Sequence, residues 1–388
     1  MPRSTRTLLA SLAVVLVLSG CDRVVRVSGS WSGGDADGVS GTASSGSTRG
    51  GMAVDGTGRL VVFESTSTNL LPGGNAAGLF LRDLATGSIE RLADGRTPDI
   101  TADGRYVAYA DRAGGLAEVR VLDRVSGTTT LVSVLPGGTP SGASNLDPSI
   151  SDDGRFVAWE SSSDQLVPGF VGTNVFVRDL VAGTTDVASR AVDGTQANET
   201  SHTPAISADG RYVAFSSWAS DLTVGDVATG YREVYRRDLA TGTTTKVNLD
   251  ASGSPISFSA LHPSISDDGS VVAFDGPGRV YVRDVAHGTT DDLGRGQLPA
   301  LSGDGRTVVF ASSFALSPWD VNGHLDVYAT DRALGSTAQL SVTSDWRQTP
   351  GDPTLNAVYV APGDQRRRVR RRLRDRDRPR PRRRERSA

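Results

Sequence analysis

Pro98-Asp99-Ile100-Thr101-Ala102-Asp103-Gly104-Arg105-Tyr106-Val107-Ala108-Tyr109 is the stretch that decides the fold, because it is written more than once. Its wording returns at 148–159, 204–215, 263–274 and 299–310, and a degenerate copy stands at 51–63. A second phrase closes each unit. It reads Arg82-Asp83-Leu84-Ala85-Thr86-Gly87 in the first unit and Asp123-Arg124-Val125-Ser126-Gly127-Thr128 in the second. Later versions fill 178–184, 237–243, 283–289 and 331–336. Six units are visible, and their phrases recur every 36 to 59 residues, a period that marks a repeat architecture.

Each phrase has a mechanical reading. Pro-x-Ile-Ser is a short first strand with proline at its opening, where a missing N–H costs least. Asp-Gly is a strong two-residue hairpin signal, which predicts a type I′ turn with positive φ at both central residues. Arg-Tyr-Val-Ala-Tyr alternates as a second strand. Val175-Phe176-Val177-Arg178-Asp179-Leu180 and Val280-Tyr281-Val282-Arg283-Asp284-Val285 read as third strands. Ala-Thr-Gly-Thr is a further turn, and a Thr/Val-rich fourth strand follows, as at 128–134. Four antiparallel strands make a sheet that cannot bury both faces alone, so the units must stack around an axis. The fold class is therefore all-β, a β-propeller of four-stranded antiparallel blades with six recognisable blades.

Pro-x-Ile-Ser-x-Asp-Gly-Arg-x-Val-Ala-Phe followed by Val-x-Val-Arg-Asp-Leu resembles the propeller repeat of TolB and related proteins, relatives of WD repeats. The resemblance spans about residues 51–343. It implies the fold; propellers host binding proteins and enzymes alike, so it does not fix a function. The Trp-Asp signature of true WD repeats is absent from its usual place.

The flanks carry different signals. Arg3 and Arg6 precede an apolar run at 8–18, too short to span a bilayer, and Leu18-Ser19-Gly20-Cys21 follows. These four residues resemble the lipobox of bacterial lipoproteins, whose cysteine is acylated and becomes the new N-terminus. Cys21 is the only cysteine, which excludes an intrachain disulfide and any multi-cysteine metal site. The alternative is an ordinary secretory signal with an incidental cysteine. On the lipoprotein reading, residues 1–20 are the signal peptide and 21–50 a lipid-anchored linker with a candidate closing strand at 23–28. The propeller then occupies 51–343 and a partial last blade 344–363. Pro353-Thr354-Leu355-Asn356-Ala357-Val358-Tyr359-Val360 is a candidate first strand of that incomplete seventh blade, although it lacks Asp-Gly.

Residues 364–388 form an arginine-rich tail with no hydrophobic period, expected to be disordered. It reads either as a basic arm for anionic polymers or lipid headgroups, or as out-of-frame text. The whole chain has a net charge of −3, so everything before the tail is clearly acidic, which argues against nucleic-acid binding by the folded domain. Lysine occurs once, at Lys246, and the arginine bias resembles codon usage in a GC-rich genome.

No catalytic motif stands out. Gly-x-Ser-x-Gly, His-Glu-x-x-His and Cys-x-x-Cys are all missing. His202 and His262 precede first strands of consecutive blades, and Asp147 holds a like place; together they are weak candidates for a metal or acid–base cluster at the channel mouth. The alternative is polar blade-edge residues. The loops between second and third strands vary most, and long examples at 161–173, 216–231 and 312–324 are where a propeller recruits partners. Trp218, Asp221 and Asp226 lie in one, Trp319, Asp320 and Asn322 in another, and an aromatic beside carboxylates can stack on a sugar or anchor a protein. The alternative is that each tryptophan covers its own loop. Asp320-x-Asn322-x-x-x-Asp326 has a fragment of calcium-loop spacing, but Gly323 is misplaced for an EF-hand.

The expectation is thus a non-enzymatic exported lipoprotein, anchored by its N-terminal lipid on the outer side of the cytoplasmic membrane or in the periplasm. It would bind a protein or an envelope polymer as a monomer, with no cofactor and no nucleic acid. The alternative is a metal-dependent or glycan-active enzyme with its site at the channel mouth.

Overall fold

The computed structural model describes residues 51–111, 115–317, 320–321 and 323–341, together with residues 30, 36–38 and 40. They form a six-blade β-propeller. Blades I to VI span 52–93, 95–131, 145–187, 201–246, 261–295 and 297–339, and each is one four-stranded antiparallel sheet whose strands pair in chain order. Cys21, the candidate strand at 23–28, the segment 344–363 and the tail at 364–388 lie outside the described residues.

The repeated phrase is legible as a set of contacts. Its alanine makes room for the aromatic of the next blade. Ala108 of blade II shares a cluster with Trp159 of blade III, Ala158 with Phe215, and Ala273 with Phe310. In every blade but II the second-strand aromatic also pairs with one from the third strand of its own blade, as in Trp159–Phe176 (centroids 5.9 Å apart) and Phe215–Tyr235 (6.0 Å); in blade II Tyr109 stands opposite Arg120. Trp159, Phe176, Phe215 and Tyr235 are fully buried. Burying a side chain of this size contributes about 2–3 kcal/mol, so alternating small and large residues carries much of the blade-to-blade adhesion.

The Asp-Gly hairpins do not form the expected type I′ turn. Gly104 has φ +73, but Asp103 does not share the left-handed region. The Gly104 N–H donates to Thr101 O at 2.8 Å, and the Thr101 N–H to Tyr106 O at 3.0 Å. Residues 101–104 are therefore a type I turn whose last residue is the left-handed glycine. The side chains explain the choice. Thr101 Oγ1 donates to Asp103 Oδ1 (2.6 Å) and accepts from the Tyr106 N–H (3.0 Å), while Asp103 Oδ1 accepts from the Arg105 N–H (2.9 Å). The same lock recurs at Ser151–Asp153 and Ser207–Asp209. The repeated aspartates are turn formers.

The arginine of this turn reaches the aspartate of the closing phrase. Arg105 forks onto Asp123 (3.1 and 2.8 Å), Arg155 onto Asp179 (3.0 and 2.6 Å) and Arg211 onto Asp238 (3.1 and 2.8 Å). Asp179 also accepts the N–H groups of Val181 and Ala182, which closes the turn before the fourth strand. The Arg155 guanidinium holds the Asp179 carboxyl down at about 2, and Arg211 does the same for Asp238. Backbone bonds then run from hairpin to hairpin around this rim, from Asp152 to Ala208 O (3.0 Å), Ala208 to Asp267 O (3.1 Å) and Asp267 to Gly303 O (2.8 Å).

Five inter-blade junctions have shared apolar clusters. Among the described residues no cluster joins blade VI to blade I: Val309, Val327 and Leu340 cluster within blade VI, and Phe63 and Phe80 within blade I.

Candidate functional site: the loop rim

Because consecutive strands are antiparallel, the two ends of the propeller are chemically different. One rim carries the Asp-Gly and Ala-Thr-Gly turns, which the Ser–Asp and Arg–Asp bonds fix. The other carries the long loops between second and third strands and the connections from one blade to the next. Of the twelve exposed large apolar side chains among the described residues, nine stand on this loop rim and three, Val125, Val181 and Leu334, on the turn rim.

The exposed apolar residues concentrate over blades III and IV. Val171 and Val192 come from blade III and its exit, and Trp218, Val224, Val227 and Tyr231 from the loop of blade IV. Val224 is 89% exposed. Trp218 is 41% exposed, with the Arg232 guanidinium 5.5 Å over its ring. The two blades present one joined surface, since the Asn198 N–H donates to Asp221 (3.0 Å) and the Val192 N–H to Asp221 O (2.8 Å).

The carboxylates expected beside these aromatics are engaged inside the loops. Asp221 holds the blade III exit. Asp226 has only 1% of its side chain exposed and meets Lys246 and the Tyr235 hydroxyl (2.8 Å). Asp320 is buried and accepts from the Tyr328 hydroxyl. Burial beside these carboxylates pushes both tyrosine hydroxyls upward, so both remain donors. A signal for this existed in the sequence: Glu233-Val234-Tyr235 and Asp326-Val327-Tyr328 place a tyrosine two residues after an acid at the head of the third strand. Trp319 and Asn322 lie outside the described residues.

The channel-side histidines do not occupy equivalent positions. A bulge interrupts the first strand of blades II to VI, and there Thr97, Asp147, Thr203, His262 and Leu298 take positive φ. His262 thus matches Thr203, and His202 sits one residue earlier. Each histidine faces a different carboxylate. His202 Nδ1 lies 3.4 Å from Glu160 of blade III, and His262 Nδ1 lies 2.8 Å from Asp275 of its own blade. Those carboxylates also bridge blades, accepting the N–H of Thr203 (3.1 Å) and of Leu298 (2.7 Å). Asp147 is fully buried. Among the described residues no three His, Cys, Asp or Glu side chains form a group that could hold a metal ion. Glu160 and Asp275 carry one signal in the sequence, since each is a charged residue following the aromatic of an otherwise apolar strand.

No protein-family profile matches the chain, and no curated protein does. Among solved structures it is similar to the oligogalacturonate lyase of Vibrio parahaemolyticus, at 11% identity over 78% of each chain with a TM-score of 0.51. It is also similar to TolB of Acinetobacter baumannii (18% identity, 66% of this chain, TM-score 0.45) and to a putative TolB of Agrobacterium tumefaciens (16%, 80% of this chain and 84% of that one, 0.42). The chain spans 57% of the length of the Acinetobacter protein. At these identities the likeness concerns the fold alone.

Proposed function

We propose that this protein is an exported, lipid-anchored binding module that holds a protein or an envelope polymer on its loop rim and performs no chemistry at the channel mouth. One observation carries the reading: exposed apolar side chains gather on the rim whose loops vary, while the opposite rim is tied down by repeated hydrogen bonds. Exposed apolar surface on connections that vary from blade to blade, rimmed by polar groups, is what recruits partners. The arrangement of Arg3, Arg6, the apolar run and Cys21 supports export and lipid anchoring at the outer side of the cytoplasmic membrane or in the periplasm.

The test compares two charge-bearing triple variants expressed in the native host. Val171→Glu/Val224→Glu/Val227→Glu alters the loop rim, and Val125→Glu/Val181→Glu/Leu334→Glu alters the turn rim. Material co-purifying with the wild type is quantified for each. The proposal expects its loss in the loop-rim variant only; equal retention, or loss in the turn-rim variant alone, contradicts it.

A further inference from the structure

Lys246, the only lysine of the chain, ends the fourth strand of blade IV, and its side chain is 10% exposed. Its Nζ touches two carboxylates, Asp226 Oδ1 and Glu233 Oε2, whose side chains are 1% and 3% exposed. Tyr235, paired with Lys246 across the sheet and fully buried, directs its hydroxyl at Asp226 Oδ2 (2.8 Å), Glu233 Oε2 (2.8 Å) and Ala219 O (3.1 Å). One hydroxyl proton cannot serve three acceptors at once, so the site holds more acceptors around Tyr235 than that group can satisfy.

We propose that Lys246 and Asp226 are joined by an intramolecular isopeptide bond, with Glu233 carrying the proton. In water an amine and a carboxylic acid stay ionised and do not condense at a useful rate. In a dry site the charged pair loses its hydration, and moving one proton from Nζ to the carboxylate gives the neutral amine and neutral acid that react. Holding the two groups in contact supplies the orientation that a bimolecular condensation lacks. Nζ attacks Cγ of Asp226. Glu233 Oε2, touching Nζ, takes a proton from the nitrogen and returns it to the departing Oδ1 hydroxyl. The Tyr235 hydroxyl donates to Oδ2, where negative charge develops in the tetrahedral intermediate. One C–N bond forms, one C–O bond breaks, one water leaves, and no oxidant or reductant is involved. The Tyr235 hydroxyl then bonds the amide oxygen of the product.

Blade VI is an internal comparison. Asp320, Asp326 and Tyr328 repeat the positions of Asp226, Glu233 and Tyr235, with Tyr328 likewise bonded to the loop carboxylate. The residue paired with Tyr328 is Gln339, which has no amine to condense. The lysine therefore stands in the one blade where the loop carrying Trp218, Val224, Val227 and Tyr231 would be fastened to the sheet.

The experiment uses the purified, denatured full-length protein. A single lysine makes cleavage by a lysine-specific protease a direct report on Lys246. The proposal expects a chain that resists this protease and whose tryptic peptides 212–232 and 238–279 emerge joined and lighter by one water. Two separate peptides, or a chain cut after Lys246, overturn it, as does a blocked lysine that carries added mass. Lys246→Arg and Glu233→Gln, checked for folding by circular dichroism, should both lack the joined peptide. A joined peptide in Glu233→Gln removes Glu233 from the proton transfer. The inference is independent of what the loop rim binds.

Discussion

Gly154→Ala should destabilise the propeller far more than Gly183→Ala, although both glycines are left-handed (φ +70 and +69). At Gly183 a Cβ would meet nothing within 4 Å, so the cost is the left-handed backbone alone, about 1–2 kcal/mol. At Gly154 the same Cβ would lie 2.4 Å from Tyr106 Cδ2 and 2.5 Å from Cε2, inside the ring of the preceding blade. Tyr106 is pinned there, with the Arg105 guanidinium 4.6 Å over its ring, and overpacking a junction of this kind adds about 1–3 kcal/mol. The expected totals are about 1–2 kcal/mol for Gly183→Ala and about 2–5 kcal/mol for Gly154→Ala. Urea unfolding followed by circular dichroism reads the difference from the midpoint, provided the slope is unchanged. Tyr106→Ala in the Gly154→Ala background should recover part of the loss, because the two residues are in direct contact. Equal destabilisation by the two glycine substitutions would refute the claim that the Asp-Gly turn is a packing element between blades.

Other outcomes follow from the same bonds. Asp331→Ala should cost about 1–3 kcal/mol, since buried Asp331 accepts from Ala333, Leu334 and Arg306; Arg306→Ala should cost less in the same urea assay. Asp179 and Asp238 titrate at about 2 when folded, below the usual carboxylate value near 3.9, so the folded chain binds fewer protons between those limits. Their stabilisation is complete above about pH 4 and disappears as the pH falls toward 2. An Arg155→Gln/Arg211→Gln variant should therefore differ from the wild type at pH 6 and converge with it near pH 2, and a gap that widens in acid would count against the assignment. Mature protein from the native host should begin at an acylated Cys21, and Cys21→Ser should move it from the membrane to the soluble fraction; an unmodified N-terminus contradicts the anchor.

Much of the architecture was legible because the blade is written in short-range terms. Asp-Gly, an alternating Val-Ala-aromatic and an Arg-Asp closer each specify local geometry, and their recurrence specifies stacking. The proline does not open the first strand as expected: it stands fourth in Gly95–Ile100, Asn145–Ile150 and Ser201–Ile206, inside the bulge that removes its ladder bond. The turn type was not legible from Asp-Gly alone. The hydroxyl two residues before Asp103 decides it, by placing the aspartate third in the turn, and a dipeptide reading leaves that residue out. The offset between the two histidines, both of which lie within first strands and not before them, has a related cause: His202 is two residues before its proline and His262 is one, and the bulge turns that single residue into a different position. The loop carboxylates Asp226 and Asp320 read as surface groups because loops are usually solvated. Their burial depends on tyrosines that come later in the chain and point back beneath them. In the sequence Lys246 stands out only as an accident of codon usage, and only the fold brings it to Asp226 and Glu233.

The most direct test of the central claim is photo-cross-linking in the native host, with a photoreactive residue at Val224 on the loop rim and, separately, at Val181 on the turn rim. A partner held on the loop rim should give a discrete higher-mass adduct from position 224, suppressed by Trp218→Ser in the same chain, and none from position 181. Adducts of equal yield from both positions, or from position 181 alone, would contradict it.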